Sequence, residues 1–140
     1  MARMNRRDKE RLVAEALAAR ERAVAPYSGF PVGAALLAAD GSVHRGANVE
    51  SVSYGLTCCA ERVALFKALT EGVAGGITAV AVVARHDRGV MPCGACRQLL
   101  FEYAPRAVVL VADAAEPSRI REFRVADLLP GAFRAFTRGG

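Results

Sequence analysis

The sequence predicts an α/β protein in which a mixed β-sheet of about five strands is flanked by helices. Segments with helical periodicity alternate with short segments that are apolar throughout, which is the composition of strands buried on both faces. The chain has 140 residues and 53% of them are hydrophobic, so it can bury a substantial core. We therefore expect a single domain over residues 1–140.

The first half of the chain is predicted to contain a helix followed by a β-hairpin. In residues 5–24 the apolar side chains recur at helical spacing, and a Pro-Tyr-Ser-Gly segment then ends the helix. Strands are expected at residues 32–38 and 43–48. The Asp40-Gly41 pair between them is a common signal for a tight hairpin turn.

The second half continues the alternation of helices and strands. Two of its helices are expected to begin at cysteine residues, after a loop, and the strands that follow them are uniformly apolar. The predicted order is a helix at 59–71, a strand at 78–84, a helix at 93–103, a strand at 107–112, a shorter strand at 120–125 and a short helix at 126–129.

Three thiols and one carboxylate form the most informative pattern in the chain. Cys59 is followed two positions later by Glu61, and Cys93 and Cys96 form a Cys-x-x-Cys pair. A catalytic zinc site uses three protein ligands and leaves its fourth position for water. A carboxylate beside that water can move its protons. The pattern therefore predicts a zinc site that carries out hydrolysis.

Each half of this pattern has another interpretation. An isolated Cys-x-x-Cys is also typical of a redox pair or of half a structural zinc site. A redox pair needs neither a third cysteine nor the Cys-x-Glu sequence. A structural site needs a fourth ligand, for which Cys58 is the candidate. Neighbouring side chains on a helix point about 100° apart, so we expect Cys58 to be a buried thiol rather than a ligand.

With these motifs, the chain resembles the cytidine deaminase family, in its small homotetrameric class that acts on free nucleosides. The resemblance extends over nearly the whole chain. Besides the two cysteine motifs, it rests on Pro26-Tyr27-Ser28-Gly29-Phe30, on Asn48-Val49-Glu50 and on Leu128-Leu129-Pro130-Gly131-Ala132-Phe133.

The resemblance implies a three-layer fold and one zinc ion per subunit. Its metal ligands would be Cys59, Cys93 and Cys96, and Glu61 would carry protons from water to the base and to the leaving amine. Arg62 matches the family arginine that donates hydrogen bonds to the ligand sulfurs.

The resemblance also implies a substrate site that two subunits share. Phe30 matches an aromatic side chain that packs on the base, and Asn48 and Glu50 match residues that hold the ribose. Tyr54 and Phe133 match residues that reach into the site of a neighbouring subunit. The residues expected to bind the nucleoside are Phe30, Asn48, Glu50, Tyr54, Ala60 and Phe133.

One position departs from the family pattern. The family commonly has Asn after the residue that Glu50 matches, and this chain has Ser51. Serine is shorter and lacks the amide, so any contact made by that amide is lost, and we expect the loss to affect loop or subunit-interface bonding rather than chemistry.

Composition narrows the expected partners and location. The net charge is +5, but the arginines are scattered and no basic and aromatic residues alternate, so we expect no nucleic-acid partner. No apolar run is long enough to span a membrane, and no signal-peptide core follows the N-terminus, so we expect a cytoplasmic protein without a membrane partner.

The predicted activity is hydrolytic deamination of cytidine and 2′-deoxycytidine in pyrimidine salvage. Three alternatives remain open: the same reaction on an antibiotic nucleoside such as blasticidin S, a deaminase that edits polynucleotides, and a zinc-binding module without activity. The Asn48-Val49-Glu50 segment matches the ribose-binding form of the family, and polynucleotide editors usually have histidine where this chain has Cys59.

Overall fold

The computed structural model describes residues 4–134 and contains a five-stranded sheet with three α-helices. Two short 3₁₀-helices are also present: Tyr54–Leu56 follows the second strand, and Val125–Leu128 follows the fifth. The elements in chain order are α1 (Arg6–Arg20), β1 (Val32–Ala38), β2 (Val43–Ala47), α2 (Ala60–Thr70), β3 (Ile77–Ala84), α3 (Gly94–Tyr103), β4 (Val108–Asp113) and β5 (Glu116–Arg124).

The sheet is mixed, and its strands are ordered β2-β1-β3-β4-β5. Strands β3 and β4 are parallel, whereas the other three neighbouring pairs are antiparallel. Helix α3 is the crossover between the parallel strands, as a parallel pair requires. The prediction of a mixed five-stranded α/β fold is therefore confirmed.

The helices cover both faces of the sheet and make three layers. Helix α1 packs through Leu12, Val13 and Ala16 on one face, against strand residues such as Ala81 and Leu110. Helices α2 and α3 pack on the opposite face, where their buried side chains join those of alternate strand residues. Strand side chains alternate between the two faces, so β3 and β4 are buried on both sides and consist almost entirely of apolar residues.

Two predicted boundaries are wrong. Helix α1 ends at Arg20 rather than at residue 24, because the chain leaves the helix so that Val24 can pair with Val49 in an isolated bridge. Strand β5 begins at Glu116, four residues before the predicted start, although its sequence is polar and contains Pro117. An edge strand tolerates proline and charged residues because one of its sides is unpaired.

No helix among residues 4–134 combines the length and the apolar character that crossing a membrane requires.

Helix α2, which begins within the first cysteine motif, lies unusually close to the sheet at Gly46 in β2. A Cβ atom at Gly46 would lie 2.4 Å from the backbone nitrogen of Ala64 and 2.6 Å from the carbonyl oxygen of Ala60. Only glycine permits this approach of two backbones. The position of Cys59 and Glu61 relative to the sheet therefore depends on the absence of a side chain at Gly46.

We predict that Gly46→Ala lowers the free energy of unfolding by about 1–3 kcal/mol, because backbone rather than a flexible side chain must move to admit the methyl group. Urea unfolding measures the effect. Gly55→Ala is the matched control, since a Cβ atom there would meet nothing within 4 Å. Equal unfolding midpoints for the two variants would contradict the close packing of α2 on β2.

Candidate metal centre and active site

Three cysteine thiols from two separate chain segments converge at one point. The Sγ atoms of Cys59 and Cys93 are 3.8 Å apart, and those of Cys93 and Cys96 are 3.5 Å apart. All three sulfurs lie within 4.8 Å of one another. Within residues 4–134, this is the one group of three or more His, Cys, Asp or Glu side chains with such spacing.

The backbone places these thiols at the N-termini of two helices. Cys59 is the N-cap of α2 and Cys93 is the N-cap of α3, and both have extended backbone conformations. Cys96 lies one turn into α3, on the side of the helix that faces Cys93. Two helix N-termini directed at the same point stabilise negative charge on the sulfurs.

The sulfur spacing fits a tetrahedral zinc ion. With a Zn–S bond of about 2.3 Å, ligand sulfurs at tetrahedral angles lie about 3.8 Å apart. The observed distances of 3.8 Å and 3.5 Å are close to that value. Three thiols also suit zinc better than magnesium or calcium, which prefer oxygen ligands. The fourth thiol, Cys58, is not part of the group.

Arg62 lies beside this thiol cluster. Its Nη2 donates to the Sγ of Cys59 at 3.4 Å and to the carbonyl oxygen of Thr57 at 3.2 Å. Its buried Nε has no hydrogen-bond partner among the residues that the structure describes. The guanidinium is therefore held against the sulfurs, where its charge offsets that of the thiolates.

The thiols perturb one another's proton affinities. The hydrogen bond with Cys96 lowers the pKa of Cys59, and the bond from Arg62 lowers it further. The same contact raises the pKa of Cys96, which is also buried. Cys59 therefore becomes a thiolate more readily than Cys96, and a zinc ion would deprotonate all three thiols.

Glu61 is a buried carboxyl group next to the sulfur cluster. It lies in the first turn of α2, two residues after Cys59, and only 5% of its surface is exposed. Burial raises the pKa of Glu61 to about 7. A carboxyl group with such a pKa accepts and releases protons readily near neutral pH.

Asn48 joins the end of β2 to the segment before β1. Its side-chain nitrogen donates to the carbonyl oxygen of Phe30 at 3.0 Å, and its oxygen accepts from the backbone N–H of Val32 at 2.8 Å. The residue is buried. The structure therefore brings Asn48 and Phe30, two predicted substrate residues, into direct contact.

Glu50 also bonds to this segment, and its partner Ser28 is a residue that sequence reasoning did not assign. One carboxylate oxygen accepts from the backbone N–H groups of Tyr27 and Ser28, each at 3.0 Å, and the other accepts from the Ser28 hydroxyl. These bonds, first of all those from Ser28, lower the pKa of Glu50. The Pro-Tyr-Ser-Gly-Phe segment is part of the family resemblance, but nothing in its sequence indicates that Ser28 donates to Glu50.

Glu50, Tyr54 and Ser28 line a cavity of about 310 Å³ with neighbouring residues. The exposed fraction of Tyr54 is 79% and that of Phe133 is 60%. The carbonyl oxygen of Phe133 accepts a hydrogen bond from Gln98 on α3. Ala60, in contrast, is fully buried beside Glu61. Of the predicted substrate-binding residues, two are therefore buried (Asn48 and Ala60), two are partly buried (Phe30 and Glu50) and two are exposed (Tyr54 and Phe133).

Ser51, the departure from the family pattern, bonds within its own loop. Its backbone N–H donates to the Thr57 hydroxyl at 3.1 Å, and its hydroxyl accepts from the Ser53 backbone at 3.1 Å. In this chain Ser51 therefore takes part in the loop that leads from β2 to Cys58.

A three-layer α/β fold that joins three clustered thiols to a buried carboxyl group is the arrangement expected of a metal-dependent hydrolase. Comparison with known proteins specifies the class. Residues 6–112 match the model of the cytidine and deoxycytidylate deaminase zinc-binding region. This chain belongs to the cytidine deaminase family, whose members are hydrolases.

Individual relatives agree with this assignment. The cytidine deaminase of Halalkalibacterium halodurans is 54% identical over 128 residues, which cover 91% of this chain and 96% of that protein. The crystal structure of cytidine deaminase from Burkholderia pseudomallei is 48% identical, covers 88% of this chain and 97% of its own, and superposes with a TM-score of 0.83. The cytidine deaminase structure from Mycobacterium tuberculosis is 44% identical, covers 90% of this chain and 97% of its own, and has a TM-score of 0.76.

Proposed function

We propose that this protein catalyses the hydrolytic deamination of cytidine and 2′-deoxycytidine. Water replaces the exocyclic amino group, so the products are uridine or 2′-deoxyuridine and ammonia. One observation carries the proposal: a buried carboxyl group, Glu61, stands two residues from Cys59 in a cluster of three thiols spaced for zinc. The relatives named cytidine deaminase support the choice of substrate.

Cys59, Cys93 and Cys96 would hold one zinc ion per subunit, and the bound ion would supply Lewis-acid activation of water. Glu61 would accept a proton from that water and pass it to N3 of the base, and it would then carry the proton of the newly added hydroxyl group to the departing amine. The backbone of α2 holds Glu61 for these transfers, because Gly46 lets the helix lie against β2. Arg62 would keep the Cys59 sulfur in position.

The nucleoside's sugar would bind at Asn48 and Glu50, and Phe30 would contact the base. Asn48 and Glu50 both bond to residues 27–32, so they hold this segment as one wall of the site. The Ser28 hydroxyl fixes one carboxylate oxygen of Glu50 and thereby orients the group that would accept from a sugar hydroxyl. Deamination of blasticidin S is not favoured, since the relatives named here are cytidine deaminases.

We further propose that four copies of the chain assemble and complete one another's sites. The loop before α2 exposes Val52, Tyr54 and Leu56, which is an unusual concentration of large apolar side chains on a surface. Tyr54 and Phe133 would then reach the site of a neighbouring subunit. We also place the activity in cytoplasmic pyrimidine salvage.

A substrate panel tests the reaction. Zinc-loaded protein should deaminate cytidine and 2′-deoxycytidine and should leave cytosine, blasticidin S and a deoxycytidine-containing oligonucleotide unchanged. The change in absorbance of each compound measures the reaction.

The variant Glu61→Gln should retain zinc and the fold, but its kcat should fall about 10²- to 10⁴-fold, because an amide cannot transfer the protons. Near-normal turnover in Glu61→Gln would remove this residue from the mechanism.

The metal content is expected to be one zinc ion per chain. Elemental analysis of the purified protein measures it, and Cys58→Ser should leave the value unchanged because the Cys58 thiol is outside the cluster. Cys59→Ser should lower it, since two ligands bind zinc far more weakly than three. Loss of zinc from Cys58→Ser would contradict the ligand set.

We expect a homotetramer that loses activity when it dissociates into subunits. Obligate interfaces bury about 2,000 Å² or more, so the separated subunits would expose a large surface. Sedimentation at low protein concentration, with activity measured in parallel, checks this. Phe133→Ala should raise KM and leave zinc content and the tetramer intact, because one side chain is rarely decisive in a large interface. A fully active monomer would exclude both the tetramer and the shared site.

A further inference from the structure

Arg97 makes three hydrogen bonds, two of which go to the backbone carbonyl groups of the predicted metal ligand Cys93 and of the residue before it. Its backbone N–H donates to the carbonyl oxygen of Cys93 at 2.9 Å. Its side-chain Nε donates to the carbonyl oxygen of Pro92 at 2.8 Å, and its Nη1 donates to the carbonyl oxygen of Leu128 at 3.1 Å. One residue therefore holds the carbonyl groups of Pro92 and Cys93 and also contacts a distant part of the chain.

Few other restraints are available at this point of the backbone. Pro92 has no N–H group to donate, and the Cys93 side chain makes no capping hydrogen bond to α3. Pro92 is fully buried, so its carbonyl group needs a partner inside the protein. Arg97 supplies that partner, and it directly follows Cys96, the other predicted ligand on α3.

The third bond links this loop to the C-terminal segment, residues 125–134. Arg97 and its neighbour Gln98 both bond to that segment, at the carbonyl oxygens of Leu128 and Phe133. The segment begins at Val125, whose N–H donates to the carbonyl oxygen of Ala107 at 3.0 Å. One turn of α3 therefore connects the metal loop to the segment that carries Phe133.

We propose that Arg97 is a positioning residue for the metal site, which acts by bridging the carbonyl groups of Pro92 and Leu128 rather than by its charge. The inference rests on the proposed function, in that Cys93 and Cys96 bind zinc. The planar guanidinium presents donors in a fixed fork that can satisfy two carbonyl groups at once, whereas a lysine ammonium has a single nitrogen. Charge and bridge can therefore be separated by substitution.

The test measures the rate at which zinc passes from the loaded protein to a chromogenic chelator. We expect Arg97→Gln and Arg97→Lys to release zinc about tenfold faster than the unaltered protein, as is common when groups that orient metal ligands are removed. Arg106→Gln, at an exposed arginine in the loop after α3, is the control for loss of charge. Gln98→Ala should leave the release rate unchanged, because it spares the bond to Pro92.

Two results would overturn the assignment. If Arg97→Lys released zinc at the unaltered rate, only the charge of Arg97 would matter. If Gln98→Ala released zinc as fast as the Arg97 variants, contact with the C-terminal segment alone would explain the effect. Thermal melting of each loaded variant checks that it is folded, and Arg97→Lys serves if Arg97→Gln does not fold. If the unaltered protein holds zinc but does not deaminate cytidine, the proposed function fails while the Arg97 result stands.

Discussion

The clustering of three thiol sulfurs is the constraint on which the rest of the site depends. Thiolates this close repel one another strongly, so the arrangement requires compensating positive charge. The chain supplies part of it through the N-termini of α2 and α3 and through the guanidinium of Arg62, which contacts the Cys59 sulfur. A bound zinc ion would supply the larger part. The cluster thus explains why both cysteine motifs stand at helix N-termini.

The position of helix α2 matters as much as that of the sulfurs. This helix carries Cys59 at its N-cap and Glu61 in its first turn, and it lies directly on β2 because Gly46 has no side chain. Glu61 itself is buried, and burial raises its pKa to about 7. The helix that Gly46 admits against β2 is therefore also the helix that carries the proton-transfer group of the proposed reaction.

A second set of bonds organises the surroundings of the metal centre. Asn48 and Glu50 hold the segment before β1, and Arg97 and Gln98 hold the C-terminal segment. In each case polar side chains bond to the backbone of a loop, from just after β2 in the first case and from within α3 in the second. The loops that would contact the nucleoside are thereby held by residues that follow β2 and by α3, the helix that carries Cys96. Binding residues on loops positioned by a rigid scaffold are a common arrangement.

Much of the fold and the core of the candidate site could be predicted from the sequence. The apolar runs at β3 and β4 follow from burial on both faces, and the Asp-Gly pair marks the hairpin, because these signals are local. The spacing of Cys59, Glu61, Cys93 and Cys96 predicts metal chemistry for a similar reason, because few other functions require that set of residue types. The polar edge strand β5 was mispredicted in length, since its stability comes from pairing with β4 and not from its own composition.

Tertiary structure alone decided which distant groups meet. The sequence identified Glu50 but not the Ser28 hydroxyl that orients it, and Arg97 but not the carbonyl groups of Pro92 and Leu128 that it bridges. The sequence also gives no indication that helix α2 lies against Gly46. Backbone carbonyl and N–H groups are present at nearly every position, so no residue type marks the ones that a side chain will reach. The types of side chains in the sequence indicate the chemistry, whereas the hydrogen-bond partners of those side chains depend on distances that exist only after the chain has folded.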